Sequence, residues 1–279
     1  MFGIDTNELT MALGRPVLNL GLHAGLPLET ILKEAGAAAE SGDAIVLPLE
    51  PFYYSREDPT NWQIRNIIAW EPERWRALSV PKRIKYLARL EPSTFLEIVT
   101  ARVQSAIKPA ALSARLAAFE DPKILARFAT SPPPAEFAYS AYHLDRLGNM
   151  QHAIGHLGMK GTPAAGDARI EIAPAQRTML RTFVATMRGR GISVFFAHAP
   201  VVASPHATAS ALDEASASFA RDMSDIGRVI DDRRQVVYPE TLFFDTDLHL
   251  NAEGRALRTA ELLTAIRRHV IEPPNTNPR

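Results

Sequence analysis

The residue types with the most chemistry to offer stand together near the carboxyl end, in Phe244-Asp245-Thr246-Asp247-Leu248-His249-Leu250-Asn251. Two carboxylates and an imidazole at the end of an apolar run are costly to bury unless they are paired or solvated. A carboxylate that holds one imidazole nitrogen leaves the other as a general base near neutral pH. Asp247 lies two residues before His249 and Asp245 four before, so a turn can bring either to the ring. The same spelling also fits a plainer use, in which Asp247 or Asn251 caps the following helix and His249 is a surface residue. Other polar groups end apolar runs and join the candidate set: Asn19, Gly21 and His23 after "PVLNL", Glu50 after "AIVLPL", and His198 after "ISVFFA".

These groups need elements to aim them. Apolar runs at Pro16–Leu22, Asp43–Glu50 and Ile192–Val201 predict buried strands. Pro27–Gly42 and Pro174–Gly191 predict helices, each with Pro near its start and Gly at its end. Ser210–Asp232 is expected to be helical, Gln235–Asp245 extended, and Asn251–Ile271 an amphipathic helix that buries Leu257, Leu262, Leu263, Ile266 and Val270. Strands alternating with helices predict an α/β fold with a parallel sheet covered on both faces. Ligands of such sheets bind beyond the carboxyl ends of the strands, where the candidates cluster.

Composition narrows the field. Lys plus Arg and Asp plus Glu number 31 each, which argues against nucleic acid as the main partner. There is no Cys, hence no disulfide framework, thiolate metal site or cysteine nucleophile. No apolar run is long enough to span a bilayer, and the first residues do not spell a signal peptide. The region from about Tyr53 to Ala173 breaks the strand–helix rhythm and holds all three Trp, and it reads as an inserted helical subdomain or lid.

The final block, "FFDTDLHLNAEGR", resembles that of the SGNH/GDSL hydrolase superfamily, in which an Asp shortly precedes a His and a helix follows. The usual Asp position, three before the His, is Thr246 here; the two-residue spacing of polysaccharide O-acetylation relatives makes Asp247 the closer match, and Asp245 fits wider variants. "NLGLHAGLPLETIL" resembles the second block, which implies that the Gly21 N–H serves an oxyanion hole. "GDAIVLPLEPFYY" resembles the third, with Leu49-Glu50 where the family has Gly-x-Asn. The first block, a strand ending in Gly-x-Ser with the nucleophile, has no counterpart, and Ser41, Ser55 and Ser193 lack its context.

The resemblance covers about Phe2–Tyr54 and Ile170–Val270. It implies a three-layer, flavodoxin-like SGNH domain over residues 1–54 and 170–279, with a helical insertion or lid at 55–169. It implies esterase or O-acyltransferase chemistry on an acylated carbohydrate or other small ester, with no cofactor and no metal. His249 would be the base, Asp247 or Asp245 its orienting partner, and Asn19, His23, Glu50 and His198 cleft residues. The expectation is that the first strand and its Ser lie upstream of Met1, so that the 279 residues alone hydrolyse no ester; a periplasmic or cell-envelope location and an upstream anchor fit the resemblance. The alternative is a non-catalytic binding or assembly protein of a cell-surface polysaccharide system.

Lesser candidates complete the reading. His152 and His156 would face one way on a helix and could join a carboxylate in a metal-dependent hydrolase, but the Glu of a zinc peptidase motif is missing. Trp62, Trp70 and Trp75 are expected to pack the inserted helices rather than stack on sugars. "RVIDDRR", Arg228–Arg234, reads as a solvated surface turn.

Overall fold

The computed structural model describes residues 3–21, 24–107, 144–150, 153, 155–158, 169–204 and 207–271. His23, His152 and the expected loop at 130–137 lie outside these residues, as does all of the loop at 158–168 except Gly158. The chain is mixed α/β with short parallel sheets. The helices are α1 (Thr6–Leu13), α2 (Leu28–Ala38), α3 (Pro51–Ser55), α4 (Asn61–Trp70), α5 (Pro72–Ala77), α6 (Val80–Leu87), α7 (Pro92–Ile107), α8 (Pro174–Gly189), α9 (Ala209–Met223) and α10 (Ala252–Ile266). The strands are β1 (Ala44–Leu47), β2 (Ser193–Phe196), β3 (Val201–Val202), β4 (Arg228–Val229) and β5 (Val237–Tyr238). No helix among the described residues is long and apolar enough to cross a membrane.

Two compact units divide the chain. One comprises Met1–Leu22, Ile31–Glu57 and Leu144–Arg279; the other His23–Thr30 and Asp58–His143. The division departs from the sequence boundaries by giving 144–169 to the α/β unit and 23–30 to the helical one.

In the α/β unit, β1, β2 and β4 form one parallel sheet in that order, with Ala44 opposite Ser193, Leu47 opposite Phe196, and Phe196 opposite Val229. The strands are rich in β-branched and aromatic residues, which suit a pleated surface packed on both sides. Successive side chains point to opposite faces. Val46 and Phe195 pack on a core of Leu9, Ala197, Ile230, Leu262, Ala265 and Ile266, which brings in α1 and α10. Ile45 and Val194 join Ala39, Phe183, Met187 and Ile192, where α8 covers the other face.

Two expected strands differ. Ile192–Val201 is not one strand: it breaks after Phe196, because the His198 N–H donates to the Asp231 side chain and Pro200 has none, and Val201–Val202 pairs with β5 in a separate two-stranded parallel sheet. The described part of the Pro16–Leu22 run, residues 16–21, forms no strand. The Val17 N–H donates to Thr10 Oγ1 and the Asn19 N–H to the Leu147 carbonyl, so neither is available to a ladder, and Leu18 is exposed.

The partner of Asn19 is a tight turn that the sequence reading did not single out. Asp145 Oδ1 accepts from the N–H groups of Leu147 and Asn149, and its Oδ2 from the Asn7 and Asn149 amides. Asn149 Oδ1 in turn accepts the N–H and hydroxyl of Thr6 at the start of α1. Gly148 sits at φ +85°, and a Cβ there would lie 2.1 Å from the Asn19 carbonyl oxygen. Gly148→Ala is therefore expected to lower stability by about 1–3 kcal/mol, read as a lower urea midpoint with unchanged slope.

The helical unit has its own core: Ile64, Ile68, Tyr86, Leu90 and Ile98, with Trp75 and Leu78 against it. Thr60 and Gln63 close a capping box at the start of α4. Gln63 and Asn66 donate to the carbonyls of Leu26 and Gly25, which ties the 23–30 segment to α4. Trp75 thus packs as expected, whereas Trp62 is half exposed.

Candidate active site

The Asp–His pair is built by one short loop. Phe243 and Leu250 bridge as antiparallel neighbours, the Phe244 N–H donates to the His249 carbonyl at 2.7 Å, and the Asn251 N–H to the Leu242 carbonyl at 2.9 Å. The buried rings of Phe243 and Phe244 anchor one leg. Asn251 anchors the other: its Oδ1 accepts the Gly254 N–H as the N-cap of α10, and its amide donates to the Thr241 carbonyl. Gly254 is required, since a Cβ would come within 2.4 Å of the Leu242 carbonyl. The legs pinned in this way hold Asp245 and His249 face to face.

His249 Nδ1 lies 2.9 Å from Asp245 Oδ1. The pairing belongs to Asp245, not to Asp247 as the two-residue spacing suggested. A two-residue step sends Asp247 to the tip of the pinned loop, while the four-residue step places Asp245 across it. The Asp245 side chain is 4% exposed and that of His249 22% exposed. An ionised Asp245 accepts the Nδ1 proton, which makes Nε2, on the far side of the ring, the basic nitrogen. The helix cap of the plainer reading is real, but Asn251 provides it.

Glu50 ends the β1 segment as the N-cap residue of α3, without a side-chain capping bond. Its Oε2 is enclosed and has no hydrogen-bond partner. Burial raises its pKa from 4.5 to about 7; the positive amino terminus opposes this, and the charge of Asp247 adds to the rise. Tyr53 beside it is also raised, by burial first and then by Glu50. The folded protein thus holds a proton on Glu50 that the unfolded chain releases. Stability is expected to fall as pH rises from 4.5 to about 7, and Glu50→Gln to flatten that slope in urea titrations across the range.

The Gly21 N–H donates to Asn19 Oδ1 at 3.0 Å. The backbone donor that the resemblance assigns to an oxyanion is therefore engaged within its own turn, by the buried Asn19.

His198 belongs to a second centre. Its N–H and its Nδ1 both lie 2.9 Å from Asp231 Oδ1. Arg258 Nη2 donates to Asp231 Oδ2 at 2.7 Å and to the His198 carbonyl at 2.9 Å. All three side chains are 1% exposed. Burial alone would raise Asp231, but the His198 hydrogen bonds and the Arg258 charge outweigh it and hold the carboxyl below its usual range. The His198 and Tyr54 rings both pack on Phe219, and His198 Nε2, Arg258 Nη1 and the Tyr54 hydroxyl are enclosed without hydrogen-bond partners. An imidazole sealed in this way cannot reach a substrate, so His198 is a structural residue and not part of an open cleft.

This centre corrects three expectations. Arg228–Arg234 is no solvated turn: it opens with β4, and Asp231 and Arg233 are buried. The expected helix therefore stops at Met223. On α10 the position expected to be buried, Leu257, is half exposed, and Arg258 lies inside instead. A charge at the centre of an otherwise apolar helix face was the available signal.

His156 docks beside the site loop, with Nδ1 2.8 Å from the Phe243 carbonyl and Nε2 3.7 Å from Glu240. No group of three metal-ligating side chains occurs among the described residues. Compared with known protein families, with curated proteins and with solved structures, the chain shows no match.

Proposed function

We propose that this chain is an SGNH-like acyl-ester domain, working on an acylated carbohydrate or another small ester as esterase or O-acyltransferase. The observation that carries the reading is the Asp245–His249 pair, partly open to solvent in a pinned loop. The fold supports it: three strands successive in the main sheet, β1, β2 and β4, are neighbours in chain order, as strands 3, 4 and 5 are in a flavodoxin-like sheet. Glu50 and the exit of β2 stand at the carboxyl edge, where such folds bind ligands.

The covalent serine route has no Gly-x-Ser after a strand in these 279 residues; Ser193, which follows Gly191, opens β2 at the opposite edge. The pair itself suffices for a direct route. His249 Nε2 takes the proton of an acceptor hydroxyl, from a sugar or water, as that oxygen bonds to the acyl carbon. The imidazolium, balanced by Asp245, then returns the proton to the departing alkoxide as the ester C–O bond breaks. This route departs from the expectation that the 279 residues alone hydrolyse no ester, and one assay tests both.

The competing reading is a non-catalytic binding protein of a surface-polysaccharide system. Hydrolysis of p-nitrophenyl acetate decides between them. The catalytic reading expects turnover above buffer without a burst of acyl-enzyme, lost in His249→Ala; equal rates in the two proteins leave the binding reading.

A further inference from the structure

Helix α6 carries two apolar stripes, and the fold uses one of them. Tyr86 and, just past the helix end, Leu90 turn into the core of the helical unit with Ile64, Ile68 and Ile98. Val80, Ile84 and Leu87 recur at the spacing of a second helix face. They stay outside, with 58%, 62% and 37% of their surfaces exposed. A helix that had only this core to cover would carry polar residues on that face.

The charge around the outer stripe is one-sided. The chain has a net charge of zero, yet residues 74–90 hold Arg74, Arg76, Lys82, Arg83, Lys85 and Arg89 and no Asp or Glu. Asp58 takes up part of this charge, lying 2.6 Å from Lys85 and 3.5 Å from Arg89. Arg76 and Lys82 are exposed.

We propose that α6 is a peripheral membrane contact, lying in the head-group layer of an anionic bilayer with Val80, Ile84 and Leu87 among the upper acyl chains and the surrounding Lys and Arg on lipid phosphates. This goes beyond the acyl-ester function and does not depend on it. Both halves of the pattern are needed to name the occupant. Exposed aliphatic side chains alone suit any apolar partner, whereas the same side chains in a basic surround suit an interface that is apolar within and negative at its rim. A second copy seated on the same stripe would set like charges against each other. Helix α7 supplies the contrast. Leu96, Val99 and Val103 are exposed there at helix-face spacing, but Glu91 and Glu97 accompany them and the helix holds a single basic residue, Arg102.

Three aliphatic side chains on a two-turn helix make a weak anchor, so binding is reversible and needs the lipid charge as well. Co-sedimentation of the full chain with vesicles tests this. Phosphatidylcholine vesicles with about 30% phosphatidylglycerol are expected to bind the chain at about 0.1 M salt, and pure phosphatidylcholine vesicles to bind it more weakly by about tenfold or more. At about 1 M salt, where the screening length falls to about 3 Å, binding to the anionic vesicles drops to the same low level. Lys82→Gln lowers the affinity about fivefold, the worth of one basic side chain near such a surface. Val80→Ser with Ile84→Ser lowers it by about tenfold or more. These side chains are exposed, so both variants keep the urea midpoint of wild type, which separates lost binding from lost folding. Leu96→Ser with Val99→Ser, a matched apolar loss on α7, keeps the wild-type affinity. Equal binding to the two kinds of vesicle, an affinity unmoved by the α6 variants, or an equal loss from the α7 pair overturns the assignment.

Discussion

If the proposed function holds, His249→Ala and Asp245→Asn are each expected to lower the hydrolysis of p-nitrophenyl acetate by about 100- to 10,000-fold, the range that a positioned general base contributes. The two losses have different origins. The first removes the base. The second leaves the ring but removes the anion that fixes Nδ1 as the protonated nitrogen and balances the imidazolium; an Asn amide can also turn its N–H toward Nδ1 and stabilise the wrong tautomer. Asp247→Asn separates the roles of the two carboxylates. It leaves the base intact, so the rate changes by less than about tenfold. It also removes the smaller of the two causes that raise Glu50, burial being the larger, so Glu50 remains raised. Steady-state rates on the three variants at neutral pH check these losses. Equal losses in Asp245→Asn and Asp247→Asn would sink the assignment of partners.

Arg258→Ala is expected to cost about 3–5 kcal/mol of folding free energy, because it removes the positive charge paired with the buried Asp231 carboxylate and leaves the His198 carbonyl short of a donor. The same reasoning makes Asp231→Ala severe, since it strands Arg258 and unties His198. A paired change, Arg258→Met with Asp231→Leu, removes both charges and is expected to recover a large part of either single loss. Urea midpoints at neutral pH give the comparison. The pH dependence has a definite sign. Asp231 titrates lower in the folded protein than in the unfolded chain, so its stabilisation is complete above the ordinary carboxylate range and is lost as pH falls through the lowered folded value. Glu50 acts in the opposite sense, so wild type is expected to be most stable on the acid side of neutrality but above the range where Asp231 protonates.

The parallel pairing of Ala44–Leu47 with Ser193–Phe196 was legible because both runs are apolar on two faces and each follows a helix ending in Gly or a small-residue turn. The helix over Pro174–Gly189 was legible from its punctuation. Val17–Leu20 failed because an apolar run states where a segment wants to be buried and not where its N–H groups go, and here they go to Thr10 and to the Leu147 carbonyl. His249 with a nearby carboxylate could be read from the block. The choice between Asp245 and Asp247 could not, since it depends on the Phe243–Leu250 bridge that folds the loop back on itself. The buried centre of His198, Asp231 and Arg258 was out of reach because its members lie far apart in the chain, and a short charged run is read as surface unless its partners are known.

The pairing of β1 with β2 joins residues about 150 positions apart, with Asp58–His143, the larger part of the helical unit, encoded between them. On a ribosome adding about 5–20 residues per second, the apolar Ala-Ile-Val-Leu strand emerges on the order of ten seconds before the segment that satisfies its edge. During that interval its backbone donors and acceptors have no sheet to join, and it is open to pairing with other nascent chains. The yield of folded protein is therefore expected to depend on the speed of translation and on holding factors that cover the strand. Slower codons placed between the two strands should lower soluble yield while leaving the equilibrium stability of the purified protein unchanged.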